Sequence, residues 1–140
     1  MRKPLFTGCC TALVTPFENG KVNFTMLETL LARQINAGIK AVVICGTTGE
    51  SPTLSDTEKL AMFRHAKAYA GNNCTIIAGT GSNCTEHAVS LSQAAEETGI
   101  DGLRKTPLLS LLLLTSSCTL TKLLRATPSW RPVQTGASMS

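Results

Sequence analysis

A chain of 140 residues that is 43% hydrophobic and 16% charged holds enough apolar material for one ordinary domain core. Its formal charge of +4 is unevenly placed: residues 1–102 hold eight basic and nine acidic side chains, and residues 103–140 hold five basic and no acidic ones. A near-neutral domain with a few scattered tail cations is not the clustered basic patch of a nucleic-acid binder.

Six cysteines, Cys9, Cys10, Cys45, Cys74, Cys84 and Cys118, form no Cys-x-x-Cys pair, and His65 and His87 are the only histidines, which argues against a zinc site. Most of these cysteines sit in or beside apolar runs, where the residue acts as a small buried hydrophobe; this favours a reducing, cytoplasmic setting. The basic start, residues 1–6, leads into no apolar region of signal-peptide length. Leu108 to Leu114 is the greasiest run, far short of the roughly 20 residues that span a bilayer, so no membrane partner is expected.

In chain order, residues 7–14 read as a first strand closed by Thr15-Pro16-Phe17, and Glu18-Asn19-Gly20-Lys21 as a turn. Asn23 is an N-cap candidate. Phe24, Leu27, Leu31 and Ile35 then recur at helical spacing, and Gly38 ends the helix. Residues 41–45 are a short β-branched apolar run, the pattern of a parallel strand buried on both faces. A loop with Gly46, Thr47, Thr48, Gly49 and Glu50 follows, and Ser55 with Glu58 forms a capping box for a second helix. Leu60, Phe63, Ala66 or Lys67, and Ala70 mark the inner face of that helix, and Gly71 ends it.

Residues 74–78 read as a third strand, followed by the small polar loop Gly79-Thr80-Gly81-Ser82-Asn83. A third helix starts near 83–85, capped by Ser82 or Asn83, with Ala88, Leu91 and Ala95 inward and Gly99 at its end. Residues 100–103 approach a fourth strand. His65 reads as plain surface and Tyr69 as an edge residue. The strand–helix unit repeats at about thirty residues, the size of a βαβ unit, so the fold is α/β, either an open doubly wound sheet or the start of a (β/α)₈ barrel. In both, ligands bind at the C-terminal ends of the strands, where the Thr47–Thr48 pair stands.

After Leu103 the pattern breaks. Arg104-Lys105-Thr106 stands where a strand should be apolar, 108–114 has neither helical nor strand periodicity, and 115–121 is a Ser/Thr/Cys tract. Residues 126–140 have turn and loop chemistry, with Pro128 and Pro132. The reading is a domain over 1–103 and a basic, irregular tail over 104–140.

Three motifs in order, Ala12-Leu13-Val14-Thr15-Pro16-Phe17, Cys45-Gly46-Thr47-Thr48-Gly49-Glu50-Ser51-Pro52 and Ile77-Ala78-Gly79-Thr80-Gly81-Ser82-Asn83, resemble the bacterial dihydrodipicolinate synthase family, also called 4-hydroxy-tetrahydrodipicolinate synthases. The N-acetylneuraminate lyase branch of the same superfamily tends to carry serine where Thr47 stands, which makes it the more distant likeness. The resemblance implies a (β/α)₈ (TIM) barrel, which typically takes about 250 residues, so 1–103 corresponds to three complete units and the start of strand four. It implies a lyase of the class I aldolase type in lysine biosynthesis. Pyruvate forms a Schiff base with a lysine and attacks aspartate semialdehyde, with no metal or organic cofactor, in a homotetramer.

Carried over by position, Thr48 is implied to hold the pyruvate carboxylate, Thr47 to relay a proton between two tyrosines, and Gly46 and Gly49 to let backbone approach the substrate. A threonine pair in a turn more often bonds local backbone, and the flanking motif is what favours the functional reading. In lysine-inhibited members the position of Asn83 contributes to an effector site, but His87 stands where they carry glutamate. The Thr-Pro-Tyr-Tyr motif appears as Thr106-Pro107-Leu108-Leu109, and no segment matches the Tyr-Asn-Val-Pro motif, the Arg-Thr-Gly motif or the Schiff-base lysine. Tyr69 is the only tyrosine, and nothing supports Lys105 or Lys122 as the nucleophile.

This reading makes the chain an inactive family member; the alternatives are a non-catalytic α/β fragment that binds a small carboxylate or a full-length homologue, and a lyase of the N-acetylneuraminate branch. Two tyrosine codons read one base early can give Leu-Leu while the preceding proline survives, so a reading-frame change near Leu103 accounts for the break. The coding DNA tests this. The alternative frame should restore Tyr-Tyr and a lysine-bearing strand downstream, and a frame with neither rejects the idea.

Overall fold

The computed structural model describes residues 4–104 and 130–132 of the chain. Four strands run parallel, β1 (Cys10–Ala12), β4 (Ala41–Ile44), β5 (Thr75–Gly79) and β6 (Gly102–Arg104), in the sheet order β1-β4-β5-β6. Helices α1 (Phe24–Asn36), α2 (Asp56–Ala70) and α3 (Thr85–Glu96) connect them. Parallel neighbours taken in sequence order, each joined by a helix, are the way a (β/α)₈ wall is wound, and these residues form part of such a wall. A hairpin of β2 (Phe17–Glu18) and β3 (Lys21–Val22) lies between β1 and α1. Its two-residue turn has Asn19 at φ 50° and Gly20 at φ 75°, the left-handed pair that a tight hairpin needs.

The last strand, β7 (Trp130–Pro132), pairs antiparallel with β6, Leu103 opposite Arg131. Turn and loop chemistry was the expectation for 126–140. The edge of β6 offers unpaired backbone groups that any short extended segment can satisfy, and proline is tolerated on such an edge. Residues 105–129 and 133–140 lie outside the described residues. The expected irregular tail, the leucine run, Cys118, Lys105 and Lys122 fall there.

The continuous apolar run predicted a strand covered on both faces, and β4 is buried at every position. Val42 and Ile44 belong to the main core with Leu27 and Leu31 of α1, Met62, Phe63 and Ala66 of α2, Ile76 of β5 and Ala95 of α3. Ala41, Val43 and Ile77 form a second cluster with Leu5 and Phe6 against it. Fully burying a side chain such as Phe63 contributes about 1.5–3 kcal/mol, so the helix-facing layer dominates the packing.

Helix ends follow local chemistry. Asn23 Oδ1 accepts from Met26 N (2.9 Å), and Gly38 at φ 79° turns the chain out of α1. The Ser55–Glu58 capping box is formed at the start of α2. The structure corrects the third cap: Cys84 takes the N-cap position of α3 without a side-chain cap. Ser82 Oγ accepts from Cys84 N one step outside the helix (3.2 Å). On α2, Lys59 and Met62 are buried, while Leu60 is only half-buried. On α3, Ser92 rather than Ala88 is fully inward, and its hydroxyl donates to Ala88 O (2.6 Å). A hydroxyl that bonds its own helix's carbonyl can be buried on the inner face. Cys9, Cys10 and Cys84 are exposed, so only Cys45 and Cys74 among the described cysteines are core residues. The two exposed thiols near β1 sit at the open edge of the sheet, which no strand covers among the described residues.

His65 is not plain surface. Its Nε2 lies 2.8 Å from Glu28 Oε1, and its ring is 4.9 Å from that of Phe24, tying α2 to α1. His87 does the same between α3 and α2: Nδ1 is 3.0 Å from Ser82 Oγ and Nε2 is 2.6 Å from Asp56 Oδ2. The His87 hydrogen bond, with weaker help from Lys59, holds the Asp56 carboxyl below the usual carboxylate range despite some desolvation.

Two predictions follow from these contacts. A depressed carboxyl pKa stabilises the fold above its ordinary value of 3.8, and the contribution is lost as pH falls through the folded value. Asp56→Asn should therefore lower urea stability at neutral pH, by less than about 1 kcal/mol for so exposed a pair. The deficit should close as the pH is taken down through the carboxylate range; a deficit that stays constant would count against the His87 contact as its source. At the sheet, a Cβ on Gly79 would fall on the Cys45 carbonyl, 2.7 Å from its carbon and 2.9 Å from Gly46 N. Gly79→Ala should cost about 1–3 kcal/mol in urea unfolding, and an unchanged midpoint would show that β4 and β5 can separate freely there.

Candidate functional site

At the C-terminal end of β4 the backbone bends sharply. Cys45 takes φ 53°, a left-handed value that non-glycine residues avoid. Gly46 returns to extended backbone, and Thr47–Gly49 forms a single 3₁₀ turn closed by Gly49 N donating to Gly46 O (3.0 Å). Glu50 N donates to Thr47 O (3.1 Å), and Glu50 itself is left-handed at φ 52°, ψ 41°. A second 3₁₀ turn, Ser51–Thr53, follows; Thr53 N and Thr53 Oγ1 both donate to Glu50 O, at 2.9 and 2.8 Å. Ser55 then opens α2, and its side-chain and backbone hydrogen bonds hold the Glu58 carboxyl below its ordinary range. The segment between β4 and α2 is a chain of closed turns from end to end.

Within it the two threonines are the open members. Thr47 and Thr48 are exposed, and neither their hydroxyls nor their backbone N–H groups have a hydrogen-bond partner among the described residues. Successive unpaired N–H groups in a tight turn make a concavity suited to an anion, and two hydroxyls beside them add donors that can also accept. Gly49 is buried, and a Cβ there would meet Leu13 O at 3.1 Å and Thr15 Oγ1 at 3.3 Å. A Cβ on Gly46 would meet Val43 Cγ1 at 3.2 Å. At Gly46 the close approach is to β4, and at Gly49 it is to the segment that follows β1.

Residues beyond the motif hold this loop. Thr15, read from the sequence only as the end of a strand, is buried and donates through Oγ1 to Gly49 O at 2.7 Å. Thr80, fully buried in the next strand-end loop, donates its N–H to Arg104 O (3.2 Å), and its Oγ1 lies 2.9 Å from Ser92 Oγ. The available signal was position alone: both threonines lie just beyond the C-terminal ends of strands on the same sheet edge as Thr47.

The described residues supply little nucleophilic chemistry here. The Cys45 thiol is buried beside Met62 Sδ (3.7 Å), and burial pushes it up to about 12, so it stays protonated near neutrality. Lys59 and Lys67 lie on α2 and pair with Asp56 and Asp101 at 3.5 and 2.7 Å. Lys40 precedes β4 at its N-terminal end, and Lys21 is exposed in the hairpin. Among the described residues no group of three His, Cys, Asp or Glu side chains is placed to hold a metal ion. No helix among them is long and apolar enough to cross a membrane.

Comparison with known proteins agrees with this architecture. The curated 4-hydroxy-tetrahydrodipicolinate synthase of Acetivibrio thermocellus is 47% identical over 103 residues, covering 74% of this chain and 35% of the relative. That of Bacillus subtilis is 43% identical over 99 residues, covering 70% and 34%. The chain thus spans roughly a third of the length of the curated relatives it matches. The crystal structure of dihydrodipicolinate synthase from Aquifex aeolicus superposes with a TM-score of 0.69 at 41% identity, over 71% of this chain and 34% of that one. The Thermotoga maritima enzyme gives a TM-score of 0.72 at 34% identity, over 74% and 35%. The model of the dihydrodipicolinate synthetase family matches residues 5–107, four residues beyond the boundary read from the sequence pattern. The chain belongs to the dihydrodipicolinate synthetase family.

Proposed function

We propose that the turn at Thr47 and Thr48 is the carboxylate-gripping wall of a pyruvate site. The whole protein would be a lyase of the class I aldolase type, a 4-hydroxy-tetrahydrodipicolinate synthase joining pyruvate to aspartate semialdehyde on the route to lysine. The observation that carries this reading is the pair of unpaired N–H groups and free hydroxyls at the C-terminal edge of a parallel sheet. In it the Thr48 N–H and hydroxyl donate to the pyruvate carboxylate. The Thr47 hydroxyl, able to accept and donate at once, passes a proton along a relay. Gly46 and Gly49 give the loop its close fit against the strand ends.

The same reading assigns no turnover to this chain alone. An imine-forming lysine must be desolvated and pre-positioned in the barrel interior. The lysines among the described residues lie on α2 with carboxylate partners Asp56 and Asp101, or are exposed in the hairpin or at the N-terminal end of β4. The described part of the chain then binds and orients a 2-keto acid without activating its carbonyl.

Titrating pyruvate into the ¹⁵N-labelled 140-residue chain should move the Thr47 and Thr48 amide resonances. Thr48→Val should weaken that binding roughly tenfold, the value of a hydrogen bond to a charged group. Borohydride added with pyruvate should leave the protein mass unchanged. Silent Thr47 and Thr48 amides would remove the binding assignment, and a reduced pyruvate adduct on any lysine would remove the absence of turnover chemistry.

A further inference from the structure

The geometry points to Thr15 as the positioning residue that keeps the Thr47–Thr48 turn in its receptive shape, by pinning the plane of one peptide bond. That peptide joins Gly49 to Glu50. Its carbonyl accepts from Thr15 Oγ1 at 2.7 Å, and its N–H donates to Thr47 O at 3.1 Å. Both ends of one peptide plane are therefore held, one by a strand end 34 positions earlier and one by the turn itself.

The restraint has work to oppose. Glu50 sits at φ 52°, ψ 41°, a region that a residue with a Cβ leaves readily. Rotating the Gly49–Glu50 peptide by half a turn would carry the Glu50 φ into the ordinary negative range. The same rotation would withdraw the Glu50 N–H from Thr47 O and open the turn whose first two residues are Thr47 and Thr48. It would also turn the Gly49 carbonyl away from a buried hydroxyl that has no other partner among the described residues. The local preference of Glu50 thus runs against the receptive shape, and the Thr15 hydroxyl supplies the opposing interaction. Thr15 touches no ligand in this account; it acts through the peptide. The space is tight enough for the purpose, since a Cβ on Gly49 would stand 3.3 Å from Thr15 Oγ1.

This inference rests on the proposed carboxylate-binding role of the same turn, and its test separates the two. The full chain is labelled with ¹⁵N as wild type, Thr15→Val and Thr15→Ser. Pyruvate affinity is read from the Thr47 and Thr48 amides, and the state of the peptide from hydrogen exchange at the Glu50 amide. Thr15→Val should bind pyruvate roughly tenfold more weakly and lose Glu50 protection, as expected when a buried carbonyl loses its donor. Thr15→Ser, which keeps the donor, should restore both. Pyruvate binding by Thr15→Val equal to wild type overturns the inference, and so does a Glu50 amide that exchanges in wild type as fast as an open loop. A wild-type chain that binds no pyruvate overturns the proposed function instead, and Glu50 protection still decides the role of Thr15. If Thr15→Val does not fold, protection of Glu50 in both wild type and Thr15→Ser supports the pin, and fast exchange in either removes it.

Discussion

Where β4 ends, the Cys45 carbonyl occupies the volume that a side chain at position 79 would need, and the loop that follows takes its direction from that contact. The left-handed backbone at Cys45 and again at Glu50 costs roughly 1–2 kcal/mol per residue. Neither residue is glycine or asparagine, so hydrogen bonds and packing must offset the cost, and at Glu50 the turn's own bonds to Thr47 and Thr53 supply only part of it. The rest comes from both sides of the loop: Gly79 of β5 admits the Cys45 carbonyl, while Leu13 and Thr15 beyond β1 close on Gly49. The loop is a wedge between two neighbouring strand ends. Its shape is a property of the sheet, not of its own residues alone.

That wedge is firm because the sheet under it is covered twice. A parallel strand in the middle of a wall must bury both faces. On the helix side Val42 and Ile44 meet α1 and α2, and on the other side Ala41 and Val43 meet Ile77, Leu5 and Phe6. The helices are in turn tied to one another by histidines, His65 to Glu28 and His87 to Asp56. These pairs are partly exposed and contribute little energy each. They tie α2 to both neighbouring helices, and the start of α2 closes the far end of the loop through the Ser55–Glu58 box.

Much of this was legible in the sequence because local rules and the global fold agree. The run at 41–45 carried the pattern of a doubly buried strand, the Ser55–Glu58 spacing announced a helix start, and the glycines at 38, 71 and 99 mark helix ends with positive φ. Fold class and the place of the Thr47–Thr48 pair followed. The misses share a physical cause. Thr15, Thr80, Ser92 and His65 matter through partners 12 to 37 positions away, and no local pattern reveals a hydrogen bond to a distant carbonyl or side chain. Most of the cysteines read as small buried hydrophobes from their apolar neighbours, yet Cys9 and Cys10 are exposed at the open sheet edge and the exposed Cys84 takes the N-cap of α3. The strand at Trp130–Pro132 was invisible for the same reason: its pairing belongs to the β6 edge, not to its own three residues.

The two halves of the proposed chemistry have different structural requirements. Gripping a carboxylate needs donors with fixed directions, and backbone N–H groups in a pinned turn supply them from a single strand–helix unit with help from its two neighbours. Activating a carbonyl needs an amine stripped of water and held free of carboxylate partners, a condition only a closed interior creates. The lysines of the described residues illustrate the difference: the one that is buried, Lys59, lies on the outer helix layer with Asp56 at 3.5 Å. A site that grips equally in ground and transition states lowers the concentration at which substrate is bound and adds nothing to the rate once it is bound. In the proposed reading the strand-end turn therefore supplies occupancy and orientation through Thr48 and one relay hydroxyl through Thr47, and the amine that activates the carbonyl belongs to a closed interior that such a turn cannot provide.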